Sequence, residues 1–398
     1  MAEFYKKKLG NGLTVLFEKR DLPVVCVSAS IKFGSAFETE KNKGIAHFIE
    51  HLMFKGTKTR AQQEIASEIE KKGGVLNAYT GEEFTSYWNK LPSKHLEIGI
   101  SIPSDLILNP KFDAVEFEKE KNVIIEEIKM YHDNPSYYVY DKIKEMLYEK
   151  PFGMSQIGTA ELLKGMNREQ LVNLFNSVYT TDEMILCVVG DADFDEICKS
   201  AETIYPKTQR KLIDHNPIKK NSELVEKREG VDQAHLILGF HAPSIKDKER
   251  YGYEIAGTYL FEGMSSVLWQ EIRAKRGLAY NIRGSFDLGR NYGYCAIYVG
   301  TLKEKIREVK EIILREIKKL GKMEKRDFDE AKEQLIGMKK LSEEDSSNVM
   351  HSLVLEESAG DAEEYYKYEE RINSVKIEDV RKLAKIKSFS TFSLIPKI

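Results

Sequence analysis

Cysteine is scarce in this 398-residue chain, and its four copies (Cys26, Cys187, Cys198 and Cys295) form no C-x-x-C pair. That spacing argues against a disulfide framework and against a thiolate metal site, and it fits free thiols in a reducing compartment. Long hydrophobic runs are missing too: no stretch of about 18 uncharged apolar residues is present to span a bilayer. The N-terminal run MAEFYKKKLGNGLTVLF has neither the apolar core of a secretory signal nor the Arg/Ser-rich character of a transit peptide. A cytoplasmic protein that does not engage membranes is therefore expected. Charge of one sign is equally lacking. Sixty-one basic against sixty-four acidic side chains leave a net charge of −3, so no global field draws the chain to nucleic acid.

What is present suffices for two cores. The length exceeds the roughly 100–200 residues of an ordinary domain, and 41% apolar residues can fill two interiors. Charged residues reach 31%, above the usual quarter or so, mainly as Lys and Glu.

Element signals follow one another in a repeated order. Asn11-Gly12 supplies a turn ahead of the apolar run 13–17. Residues 24–33 alternate as a half-buried strand, with Val25, Val27, Ala29, Ile31 and Phe33 on one face. Helical spacing predicts helices over 44–54 and 62–72, the second stopped by Gly73-Gly74. The runs VLNAYT (75–80) and FTSYWNKL (84–91) read as strands, and helices are expected near 93–108 and 113–131. A strand at 185–191 closes the first half, and polar, basic residues between about 206 and 230 read as a connection. The second half repeats the order: a strand at 234–240, helices near 249–275, strands near 279–299, then Lys/Glu helices and a final strand. The expected fold is α+β. It has two similar domains, each a mostly antiparallel sheet flanked by helices, with residues 1–210 and 231–398 as domains and 211–230 as linker.

The run HFIEH at 47–51 concentrates the chemistry. On a helix, His47 and His51 stand four residues apart on one face and can offer two nitrogens to a single tetrahedral zinc. Glu50 lies beside them, where a carboxylate can take the proton of an activated water. A catalytic zinc needs a third protein ligand. The helix EFEKEKNVIIEEIKM offers Glu120 and Glu127, two turns apart and nearly in register, with Glu126 turned away by about 100°. Spacing alone leaves these open.

HFIEHLMFKGT, with LNAYTG and EKNVIIEEI downstream, resembles the pitrilysin/insulinase family, which includes insulin-degrading enzyme and the mitochondrial processing peptidase. The likeness runs from GNGLTV to EIRAKRGLAY and so covers most of the chain. It implies a zinc metalloendopeptidase with one zinc per chain held by His47, His51 and Glu127, Glu126 being the alternative third ligand. Glu50 is then the catalytic base, and Glu120 a supporting carboxylate that orients a ligand. It also implies that Arg273 and Tyr280 reach the substrate (Arg276 is the substitute for the former), and that peptides add as a strand along Asn77 and Ala78. Glu83 matches a recurrent family Glu without an implied role. Half-length members of the family pair up, so a homodimer is expected. A heterodimer with a metal-free homologue and a noncatalytic scaffold are the alternatives. The run LFEGM departs from the family, with Phe261 and Glu262 where small residues are usual. That departure argues for general peptide turnover rather than presequence processing.

Overall fold

The computed structural model describes residues 3–210 and 215–397. It divides into two compact units. The first comprises Met1–Ile128, Gln156–His215 and Ser342–Tyr365, and the second comprises Lys129–Ser155, Asn216–Leu341 and Tyr366–Ile398. The units interleave along the chain, which a boundary drawn near residue 210 does not capture. Of the segment read as a linker, residues 211–214 lie outside the described residues, and 223–228 form a strand.

In the first unit the strands are β1 (Glu3–Lys8), β2 (Thr14–Lys19), β3 (Val24–Ile31), β4 (Val75–Thr80), β5 (Thr85–Pro92) and β6 (Met184–Gly190), in the sheet order β1-β2-β6-β3-β5-β4. In the second unit β7 (Glu223–Arg228), β8 (Ala234–His241), β9 (Ala279–Leu288), β10 (Gly293–Thr301) and β11 (Ser390–Pro396) take the order β7-β11-β8-β10-β9. Set β1 aside and the two schemes agree strand for strand. Each sheet holds one parallel pair, β2 with β6 and β7 with β11, and is otherwise antiparallel. Repeated order and repeated strand direction make the second unit a topological copy of the first, as the order of elements in the sequence predicts.

Each sheet is covered by a helix from the opposite half of the sequence. Pro135–Leu147 packs on β8 and β11, while Ser346–Ala359 packs on β3 and β6. The second of these buries Val349, Met350, Leu353 and Val354. Only tertiary packing tells these helices which sheet to join.

Five helices of the first half are α1 (Ile45–Met53), α2 (Gln62–Glu70), α3 (Leu96–Leu108), α4 (Ala114–Asp133) and α5 (Pro135–Leu147). Helix α1 carries HFIEH. Ile45, Ala46, Phe48, Ile49, Leu52 and Met53 are buried in the core, which leaves the stripe of His47, Glu50 and His51 facing the other way. Gly44 starts the helix at φ +94°, a left-handed conformation that favours glycine, and a Cβ there would lie 2.6 Å from the Ile157 carbonyl oxygen.

The backbone donors at the start of α1, which have no acceptor within the helix, are met by a carboxylate from outside it. Glu38, fully buried, accepts from the Gly44 N–H at 3.0 Å and the Ala46 N–H at 2.7 Å. Lys43, equally buried, lies 3.5 Å from the same carboxylate and donates to the Ser35 carbonyl oxygen at 2.7 Å. Removing one partner of a buried pair leaves a charge without its counterpart, which costs about 3–5 kcal/mol. Glu38→Ala should therefore lower the unfolding free energy of the metal-free chain by about that amount, read from urea titration. A loss below about 1 kcal/mol, the size of a surface pair, would contradict this role.

Candidate metal centre

Two helices build the centre. Phe48 of α1 stacks on Phe117 of α4, with ring centroids 4.8 Å apart, and both are buried. That contact, with Ile124 buried two turns beyond, sets α4 against α1 so that Glu120 and Glu127 reach the histidine stripe.

Glu127 Oε2 lies 3.7 Å from His47 Nε2 and 3.4 Å from His51 Nε2. Both distances are long for N–H···O hydrogen bonds, and this buried oxygen has no hydrogen-bond partner. They match another geometry. Ligands at about 2.0–2.1 Å from a tetrahedral zinc stand roughly 3.3–3.4 Å from one another. One ligand atom from each of His47, His51 and Glu127 falls within 4.8 Å of the other two, the one such group of three among the described residues. An orphaned carboxylate oxygen set between two imidazoles fits a metal ion better than it fits any arrangement of these side chains alone. Glu126 is not part of the cluster.

Around these three lie the groups that orient them. Glu120, which is buried, accepts from His51 Nδ1 at 3.1 Å through Oε2 and from Lys55 Nζ at 2.7 Å through Oε1. With Nδ1 held as the donor, Nε2 is the nitrogen turned toward Glu127, the arrangement that makes an imidazole a good ligand. Glu50, on the same stripe, accepts a 2.5 Å hydrogen bond from Thr80 Oγ1.

The charge pattern follows from burial and proximity. His51 is held up to about 9: burial opposes its charged form, but the hydrogen bond to Glu120 and the nearby Glu127 and Glu50 carboxylates prevail. His47 is pushed down to about 4 by burial first and by the neighbouring His51 second. The neighbouring His51 draws Glu127 down. For Glu120, hydrogen bonds to His51 and Lys55 overcome an opposing burial effect, with the same result. Burial raises Glu50 above its ordinary value.

Strand β4 forms one edge of the first sheet. The Ala78 N–H donates to Asn77 Oδ1 at 2.8 Å. Glu83 is buried near the tip of the β4–β5 hairpin. In the second unit, a π-helical turn, Trp269–Ala274, brings Arg273 to Tyr280 on β9. The Arg273 guanidinium sits 4.4 Å from the Tyr280 ring centroid and 5.2 Å from that of Trp269, and it donates to the Tyr280 carbonyl oxygen at 2.9 Å. Tyr280 is 80% exposed, so its hydroxyl is accessible. Arg276 instead pairs with Glu271 at 2.7 Å.

Reading the sequence alone misses three participants: Lys55, Thr80 and Trp269. Lys55 follows His51 by one helical turn, and Thr80 closes the LNAYT run, so both were within reach of a spacing argument. Trp269 stands four residues before Arg273, the spacing of neighbours on one helix face, so that contact was within reach of the same argument.

Residues 14–160 match the family described as Insulinase (Peptidase family M16), and residues 165–335 match that described as Peptidase M16 inactive domain. A Rickettsia bellii protein named "Uncharacterized zinc protease" is 34% identical over 329 residues, spanning 81% of this chain and 80% of its own. The chain belongs to peptidase family M16. A similarly named Bacillus subtilis zinc protease is 31% identical over 347 residues, 85% of this chain and 84% of that protein. The structure of a protease from Helicobacter pylori shares the fold at TM-score 0.92 and 22% identity, covering 99% of this chain and all of that one. As an M16 member the chain is a zinc-dependent endopeptidase, with His47, His51 and Glu127 as the single candidate zinc-ligand triad among the described residues. Among the described residues no helix is long and apolar enough to cross a membrane.

The charge pattern has a measurable consequence. In the metal-free chain His51 keeps its proton through pH 7, so stability drawn from its imidazolium is complete below about 6.5 and lost as pH rises through about 9. Zinc and that proton compete for Nε2, whereas His47 is already neutral and Glu127 already ionised. Zinc binding at pH 7 should thus release about one proton per chain. Titration calorimetry in two buffers of different ionisation enthalpy measures this, and a release of none would contradict the assignment of His51.

Proposed function

We propose that this M16 peptidase cleaves short or unfolded polypeptides held in extended form, with Glu50 as general base. The carrying observation is the stripe on α1: Glu50 stands between two histidines whose nitrogens converge on Glu127 Oε2. His47, His51 and Glu127 would hold the ion, with Glu120 orienting His51. Bound zinc supplies Lewis acidity, which polarises a scissile carbonyl and eases loss of a proton from water.

The chain's own groups account for the rest. Glu50 accepts the proton of the attacking water and returns it to the leaving amine, and its burial disfavours the charged form, which strengthens it as a base. The open edge of β4 pairs with substrate backbone through Asn77 and Ala78, a mode that tolerates many side chains because main-chain groups supply the affinity. Tyr280 donates to the developing oxyanion while Arg273 grips a substrate carbonyl or carboxylate. Donors of this kind are often worth about 3 kcal/mol at the transition state.

We further propose a homodimer similar to the half-size subunits of the mitochondrial processing peptidase, each centre completed by Arg273 and Tyr280 of the second copy. A cytoplasmic location is consistent with the four buried, unpaired cysteines. Phe261 supports general turnover over presequence processing: it is buried in the second core, its ring seated where a Cβ on Gly284 would approach to 2.2 Å.

Two measurements bear on these roles. Glu50→Gln should keep its zinc and lose roughly 10²–10⁴-fold in hydrolysis of an internally quenched, unstructured peptide. An active Glu50→Gln would remove the base from this account. Sedimentation velocity at working concentration should show a dimer; a fully active monomer would contradict completion of the site by a second copy.

A further inference from the structure

The strand read as the substrate's docking edge ends on a residue that reaches the base. Thr80 closes β4 and pairs with Thr85 across the hairpin. Its hydroxyl crosses to α1 and donates to Glu50 Oε2 at 2.5 Å. The residue before it points the opposite way, where the Tyr79 ring meets His351 edge-on at 5.0 Å. The Thr80 carbonyl oxygen is itself tied down, accepting from the Gln156 side-chain amide. Thr80 is thus fixed through its backbone on two sides and is half-buried.

Such a contact matters because the terminal torsion of a glutamate is broad, so a carboxylate with neither oxygen held samples many orientations. An O–H···O⁻ bond of this length is among the stronger hydrogen bonds and fixes one oxygen in place. We propose that Thr80 is a positioning residue for Glu50: its hydroxyl holds Oε2, leaving Oε1 directed to the water, so that one strand both receives the substrate and sets the base. The inference rests on Glu50 as base. Thr80 does not touch the reacting atoms, and its effect passes through the geometry of Glu50 alone.

The test compares Thr80→Val, which keeps the shape and loses the donor, with Thr80→Ser, which restores the donor. Glu50→Gln is assayed beside them on the same quenched peptide. The expected result for Thr80→Val is a kcat lowered on the order of ten- to a hundredfold, the size of a lost hydrogen bond to a charged group. Its KM should stay within about twofold, since uniform binding is untouched, and its zinc content should equal that of the unaltered chain. Thr80→Ser should recover most of the loss. Thr80→Ala is measured in parallel, so that a valine variant that fails to fold leaves the alanine variant to decide. Unchanged kcat in the variants lacking the hydroxyl, loss of zinc together with activity, or a serine variant as slow as the valine one would each overturn the assignment. If Glu50→Gln stays active, the base itself is misassigned and the inference falls with it. If Glu50→Gln is silent while Thr80→Val is not, Thr80 alone is refuted.

Discussion

The register of α4 against α1 is the constraint on which the metal centre depends. Two histidines four residues apart come with any helix that bears this pattern, but the third ligand lies on another helix and is placed by packing. Stacking of Phe48 on Phe117, set within the larger core, selects Glu127 over Glu126 and brings Glu120 to His51. The start of α1 is held as firmly, by the buried Glu38 carboxylate on its first donors. Apolar burial and a buried polar cap together hold the ligand helix rigid, as a metal site requires of the elements that present its ligands.

The two units show what one topology can be used for. Their sheets share strand order and direction, yet the helix after the second strand differs: α1 bears HFIEH in the first unit, whereas Arg250–Phe261 in the second bears no such pattern. The match of residues 165–335 to a family described as an inactive domain agrees with that difference. In the second unit the corresponding edge strand is β9, where Tyr280 is exposed and stacked with Arg273. The histidine stripe is thus carried by one of two units that share a topology, and not by the other.

Local signals were legible in the sequence. The alternation at 24–33, the turn at Asn11-Gly12 and the spacing of HFIEH all encode structure within a few residues, and the strands and helix they predict are present, although β3 is buried on both faces rather than half-buried, with α3 and Ser346–Ala359 both packed against it. Three features needed tertiary information. Strand β7 lies in a basic, polar stretch and is mostly exposed; it is a strand because β11 pairs with it in parallel. Helix α5 and Ser346–Ala359 each cover the sheet of the opposite half, which no local pattern announces. The choice between Glu126 and Glu127 rests on a helix-to-helix contact, so spacing could narrow it and not make it.

The central claim is that His47, His51 and Glu127 hold one zinc ion at the centre of peptide hydrolysis. Anomalous diffraction at the zinc absorption edge from crystals of the active protein tests it most directly. The expected result is a single peak per chain between His47, His51 and Glu127, with ligand distances of about 2.0–2.2 Å. A peak elsewhere in the chain, or fully active protein with no peak at these residues, would contradict the account.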